Sequence, residues 1–319
     1  MEVMVSICCA TFNQEKYISR ALESFTAQDT NFAYEILIHD DASTDKTAEA
    51  INEYKKAYPN IIKPVYQKVN QYSQGVSVVD EFLIPKAEGK YIAECEGDDF
   101  WTDSSKLQRQ FDFMETHPDC SLSMHGAMRV KASDEKEVEP LIAASTSRYF
   151  STDEIIEKDN VFSTNSMFYL KKHVLNVPEF IYDAPVGDYP LTIWLSLKGD
   201  VYYFEDIMSA YRVLVENSWT HNLMKTPESL KDHFSKMESW LYKLNVYTEY
   251  KYIEVINKQI LKNRFNLNRA LYDLKGVKTE ELKFFYKKLS IVEKAKLNIG
   301  YYIPASLKVS QFIRQNKIG

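Results

Sequence analysis

The sequence predicts an α/β fold, a doubly wound mixed but mostly parallel sheet flanked by helices, followed by a C-terminal helical region. Three observations predict it. Continuous apolar runs alternate with helix-period segments through the first third of the chain. Polar or acidic residues follow three of those runs, and beyond Thr226-Pro227 the helical period continues almost to the end. Strands joined by crossover helices pair in parallel with right-handed connections, and an unbroken apolar run suits a strand covered on both faces.

The first run, residues 3–10 (VMVSICCA), predicts a buried strand. Tyr17, Ile18, Ala21, Leu22 and Phe25 then recur at helical spacing, which predicts a helix over 14–28. Residues 34–39 repeat the strand pattern, and 45–58 repeat the helix, opened by Ser43 or Thr44 as cap and closed by Pro59. A third strand covers 61–66. Residues 77–87 predict a helix carrying Val78, Val79, Phe82 and Leu83, residues 91–95 a fourth strand, and 104–117 a helix with Leu107, Phe111 and Met114 on one side. Past residue 120 the alternation loosens, with strands predicted at 121–130, 164–170, 201–205 and 207–213 and a helix over 188–198. Thr226 as cap with Pro227 in the first turn opens the C-terminal helices. The domain boundary is therefore placed near 222, giving an α/β domain over 1–222 and a helical region over 223–319. Leu230, Phe234, Met237, Trp240, Leu241 and Leu244 form the first apolar stripe of that region.

Composition excludes several classes. With 319 residues, 45% hydrophobic and 26% charged, the chain has the makeup of a globular protein. A net charge of −6 is a poor match for a phosphate backbone, so no nucleic-acid partner is expected. The absence of an 18-residue apolar stretch and of a basic-flanked leader predicts a cytoplasmic protein without a spanning helix. Cys8, Cys9, Cys95 and Cys120 form no CxxC and read as reduced core thiols.

In doubly wound sheets ligands bind beyond the carboxyl ends of the strands. Thr11 and Asn13 follow strand one, Asp40 and Asp41 strand two, and Asp98 and Asp99 strand four. Adjacent carboxylates repel unless a cation sits beside them, and a hard ion such as Mg or Mn, held by one or two carboxylates, keeps positions open for substrate phosphates. The competing reading is a loop whose acids, Asp103 included, cap the helix over 104–117. Asp40 and Asp41 either accept the N–H of a base such as uracil or shape a turn. Asp188, opening the helix over 188–198, is either a general base or a cap.

The segments TFN, DDAST-D, GKYIAECEGDDFWTDSSKLQRQ, GDYPL and MSAYRV resemble the family 2 glycosyltransferases of GT-A fold, in particular the bacterial branch that builds surface polysaccharides. The resemblance covers roughly residues 3–220, and EGDDFWTDSSKLQRQ is its most specific piece. It implies an inverting, metal-dependent, hexosyltransferase-like enzyme. Such an enzyme moves sugar from a nucleotide diphosphate sugar, with UDP-sugar expected, to a glycan or lipid-linked glycan acceptor in capsule, O-antigen or exopolysaccharide biosynthesis. By the same resemblance Thr11 and Asp41 contact the base, and Asp99 binds the Mg or Mn that bridges the diphosphate. Asp98 neighbours the ribose or sugar, Asp188 deprotonates the acceptor hydroxyl and Trp101 lines the pocket. Asn13 and Asp40 belong to the nucleotide-sugar-binding loops. One departure stands out: relatives often read YRVH where this chain reads Tyr211-Arg212-Val213-Leu214, with His221 as a possible substitute. A nucleotidyltransferase is an alternative, but residues 8–13 lack the Gly-rich basic phosphate loop it usually carries. A degenerate donor-binding scaffold is another, and Leu214 is its support. Finally, residues 283–319 hold eight basic residues against Glu293, interleaved with aromatics, which predicts peripheral contact with the inner face of the cell membrane.

Overall fold

Val5 to Cys9 are sealed from solvent on both faces, and they form the middle of a nine-residue central strand, β1 (Val3–Thr11), in a computed structural model that describes residues 2–158, 161–215, 223 and 226–302. The chain divides into two compact units, Met1–Ser218 and Trp219–Gly319.

In the first unit β2 (Ala33–Asp40), β3 (Ile62–Tyr66) and β4 (Tyr91–Glu94) extend the parallel sheet around β1. Helices α1 (Ile18–Thr26) and α2 (Thr47–Ala57) supply the crossovers. The turn after β4 leads through a two-residue strand, β5 (Phe100–Trp101), into α3 (Lys106–Thr116). Next come β6 (Cys120–Lys131), β7 (Glu137–Leu141), β8 (Arg148–Phe150), α4 (Thr152–Glu157), β9 (Phe168–Leu170), α5 (Asp188–Ser196) and β10 (Asp200–Val213). The strand order is β3-β2-β1-β4-β9-β6-β10-β5, with β7 on β6 and β8 on β10. Antiparallel β9 sits between β4 and β6, so the sheet is mixed. Its core joins Ile7, Cys9 and Ile38 to Leu22 and Phe25 of α1 and Leu107 of α3.

Several elements differ from the expectation. The helix predicted over 77–87 is a π-turn at Val79–Leu83 followed by a 3-10 turn at Ile84–Lys86, because Pro85 has no N–H to continue an α-helical ladder. Residues 164–166 form a 3-10 turn, and only Phe168–Leu170 extend as a strand. The two strands predicted over 201–213 are one, β10, whose register shifts between Phe204 and Ile207. Before α2 it is Asp45, not Ser43 or Thr44, whose carboxylate takes the Thr47 N–H (2.9 Å).

The second unit contains α6 (Pro227–Tyr247), α7 (Ile253–Ala270), α8 (Lys283–Lys288) and α9 (Ile291–Tyr302). Thr226 caps α6 by accepting the Ser229 N–H (3.0 Å), with Pro227 in the first turn. Phe265, Leu274, Val277, Leu282 and Leu297 make a small core there. Among the described residues no helix is long and apolar enough to cross a membrane.

Candidate functional site

The loops that leave β1, β2 and β4 are bonded to one another at the carboxyl edge of the sheet. Asn13 adopts a left-handed φ of 52°, a conformation Asn tolerates better than most residues. Its Oδ1 accepts the Thr44 N–H (2.7 Å), and its own N–H donates to Ser43 Oγ (2.9 Å). Asp40 Oδ1 accepts the Ser43 N–H (3.3 Å). The acceptor atoms of Asn13 and Asp40 therefore shape the first two loops. From β4, the Gly97 N–H donates to the Ala10 carbonyl (3.0 Å). A Cβ on Gly97 would fall 2.5 Å from Gln14 Oε1 and 2.8 Å from Thr11 Cβ, so only glycine allows this approach.

Thr11 is buried and its hydroxyl donates to Gln14 Oε1 (2.7 Å). Asp41 is buried too, and its two oxygens accept the N–H groups of Gln71 (2.8 Å) and Tyr72 (3.0 Å). It thereby pins the short turn Tyr72–Gln74 beside the end of β2. Each carboxylate oxygen has a further lone pair with which to meet a base N–H.

Two neighbouring acids at the end of β4 have opposite surroundings. Asp99 is 2% exposed, and each of its oxygens accepts one hydrogen bond: Oδ1 from the Arg212 N–H (2.7 Å) and Oδ2 from Asn165 Nδ2 (2.8 Å). Burial, then the charges of Asp98 and Glu96, hold its carboxyl well above the usual range. Asp98 is partly exposed and bonded by the Gln14 side chain, and burial raises it as well. Glu96 is pushed up to about 7 by burial and then by Asp98, and its buried Oε2 has no hydrogen-bond partner within the protein. Arg212 braces the group, donating from Nη1 to the Asp98 carbonyl and from Nη2 to Glu135, with its guanidinium 4.6 Å from the Phe100 ring centre.

Asp188 is the first residue of α5, where its Oδ1 accepts the Tyr189 N–H (2.7 Å) and burial raises its carboxyl. Its charge acts on Glu94, Glu96 and Tyr211. Tyr211 is raised by burial and then by the charges of Asp99, Glu96, Asp98 and Asp188, so all four acids lie within electrostatic reach of its phenol.

Trp101, predicted to line the pocket, is packed in the core of the sheet edge. It is 3% exposed, its Nε1 donates to the Asn165 carbonyl (2.8 Å), and its ring centre lies 4.8 Å from that of Phe25. Leu214 is 60% exposed with φ 66°, and His221 lies outside the described residues. The sequence reading did not single out Glu96, Gln14, Asn165 and the bracing role of Arg212. Glu96 had a signal, since it stands two positions before Asp98 in EGDD. Asn165 had none.

Acids thus gather at the carboxyl end of a mixed α/β sheet, beside loops bonded to one another after β1, β2 and β4. The glycosyl transferase family 2 profile matches residues 6–176, and the chain belongs to that family. An uncharacterized protein of Mycobacterium tuberculosis is 33% identical over 219 residues, 67% of this chain and 60% of that protein. The match thus spans less than two thirds of that relative's length. The UDP-Glc:alpha-D-GlcNAc-diphosphoundecaprenol beta-1,3-glucosyltransferase WfaP of Escherichia coli is 36% identical over 113 residues, 35% of this chain and 42% of WfaP. Among solved structures, S. aureus TarS 1-349 in complex with UDP-GlcNAc superimposes with a TM-score of 0.61 at 16% identity, over 94% of this chain and 92% of that one. This likeness shows that the fold is GT-A.

Proposed function

We propose that the chain transfers a sugar from a UDP-sugar to an acceptor hydroxyl, with inversion, during assembly of a bacterial surface polysaccharide. The observation that carries this reading is the gathering of Glu96, Asp98, Asp99 and Asp188 within electrostatic reach of Tyr211 at the carboxyl edge of the sheet. WfaP, by its name, acts on a diphosphoundecaprenol-linked sugar, and TarS was solved with UDP-GlcNAc. Both support a UDP-sugar donor here, and WfaP supports a glycan or lipid-linked acceptor.

Each residue has a role in this reading. Thr11 and the turn pinned by Asp41 border the base. Asp188 accepts the acceptor's proton as that oxygen attacks the anomeric carbon, and the bond to the diphosphate breaks on the opposite face. Arg212 and Asn165 hold Asp99, and through it the turn that carries Asp98.

The residues of this turn fit a divalent cation. Among the described residues no group of three His, Cys, Asp or Glu is arranged to hold an ion unaided. Each oxygen of Asp99 accepts one hydrogen bond and keeps a further lone pair, Asp98 is partly open, and Glu96 keeps an unpartnered Oε2. Asp99, with Asp98 and Glu96 beside it, would hold Mg or Mn, and the ion when bound would neutralise charge on the leaving diphosphate.

Calorimetric titration of UDP with and without Mg tests this. The wild type should bind about tenfold or more tightly with the metal, and Asp98→Asn and Glu96→Gln should each remove that increment. Equal affinities with and without metal in the wild type would defeat the assignment. A donor-binding scaffold without turnover is the second reading, favoured by Leu214, whose side chain offers no ligand atom. Slow donor hydrolysis by the wild type in the absence of acceptor would dismiss it.

A further inference from the structure

Helix α9 uses only part of its surface for the core of its own unit. Leu297 and Gly300 are buried, with Leu297 in the cluster of Phe265, Leu274, Val277 and Leu282. The opposite side is unusual. Ile291, Val292, Ile299 and Tyr302 are 86%, 61%, 50% and 71% exposed, and Ala295 is exposed between them. Positions 291, 295, 299 and 302 follow the i, i+4, i+8, i+11 spacing of a single helix face. A helix that turns such a row to solvent has an amphipathicity its own fold does not consume. On α8, Phe284 is 53% exposed with the Lys288 ammonium 4.2 Å from its ring centre.

Charge narrows what covers this face. Between residues 283 and 302 five lysines (Lys283, Lys287, Lys288, Lys294 and Lys296) stand against Glu293, in a chain whose net charge is −6. Glu293 is already paired with Arg269 (3.4 Å). A second copy of the chain on the same face would bring two sets of lysines together, with like charges opposed. An anionic lipid surface meets both features at once, its acyl boundary taking the apolar row and its phosphates the ammonium groups.

We propose that the α8–α9 surface seats on an anionic bilayer, with Ile291, Ile299 and Tyr302 entering the acyl boundary and the lysines lying in the headgroup layer. This contact needs neither donor nor catalysis, so it stands or falls apart from the glycosyltransferase reading. Residues 303–319, the rest of the basic tail noted in the sequence, lie outside the described residues.

The test is co-flotation of the full chain with vesicles of phosphatidylcholine alone or mixed with phosphatidylglycerol. Binding to the anionic vesicles should exceed binding to the neutral ones by about tenfold or more, and Ile291→Asp and Ile299→Asp should each lower it by a similar factor. Both substitutions fall at exposed positions, and unchanged far-UV circular dichroism and UDP affinity would show that the fold is kept. Wild-type binding that is absent, or equal on the two vesicle types, overturns the proposal. So do Asp variants that bind like the wild type, or a wild-type dimer in sedimentation that Ile299→Asp converts to monomer.

Discussion

Asp98 and Asp99 differ by one position and by almost everything else. The turn after β4 sends the two side chains to different neighbours, so one of the pair meets Arg212 N–H and Asn165 while the other meets Gln14. That acids stand at this strand end is legible in the sequence, because a buried apolar run breaks into EGDD. Which acid faces a ligand is not, because the answer depends on donors 66 and 113 residues away. The same applies to Trp101, whose place in the core is set by Asn165 and Phe25. In the proposed transfer Asp188 is the general base. Asp188→Asn should retain donor binding and lose about a hundredfold in turnover, at the lower end for a general base. The base acts only when deprotonated, and burial raises its carboxyl above the ordinary 3.8. Turnover of the wild type should therefore fall as pH drops through that raised value, at a higher pH than an ordinary aspartate would set. The residual activity of Asp188→Asn should lack this limb in a kcat profile, and an unchanged acid limb would remove Asp188 from the proton transfer.

At the scale of elements, the long strands and crossover helices were readable because each carries enough residues to show a period. The short ones were not. β5, β7 and β8 have two, five and three residues and are fixed by their partners on β6 and β10 rather than by their own pattern. The segment Tyr72–Gln74 is a case in which one side chain specifies a turn, since Asp41 receives two successive backbone N–H groups from it. Removing that carboxylate leaves both donors without their partner, at a cost of about 1–3 kcal/mol if they stay buried. Asp41→Ala should accordingly speed amide exchange at Gln71 and Tyr72 by about tenfold or more and weaken UDP binding in parallel. If affinity falls while exchange at these amides is unchanged, Asp41 acts on the base alone and the turn is held by other contacts.

At the scale of the whole molecule, the acidic balance that argues against nucleic acid is partly concentrated at one edge of the sheet, where burial raises Glu94 to about 8 and Glu96 to about 7. Behind that edge the core carries a cation that no apolar pattern reveals. Lys106 is fully buried on α3, its Nζ has no hydrogen-bond partner within the protein, and it lies 3.9 Å from the Trp101 ring centre. Burial drops it from 10.5 to about 7, opposed weakly by Cys95, and burial followed by the Lys106 charge holds His125 down at about 3. The cation–π contact offers about 0.5–2 kcal/mol, less than the several kcal/mol that desolvating an ammonium costs, so desolvation wins and the amine is largely neutral above pH 7. Between about 7 and 10.5 the unfolded chain then holds a proton that the folded chain does not, and this group makes stability rise with pH across that window. Lys106→Met keeps the side-chain length and removes the titration. It should raise stability near pH 7 by about 1–3 kcal/mol and flatten the rise between pH 7 and 10, as read from urea midpoints. A variant less stable than the wild type at pH 7, with the slope intact, would mean that the ammonium is satisfied inside the fold and that its burial costs little.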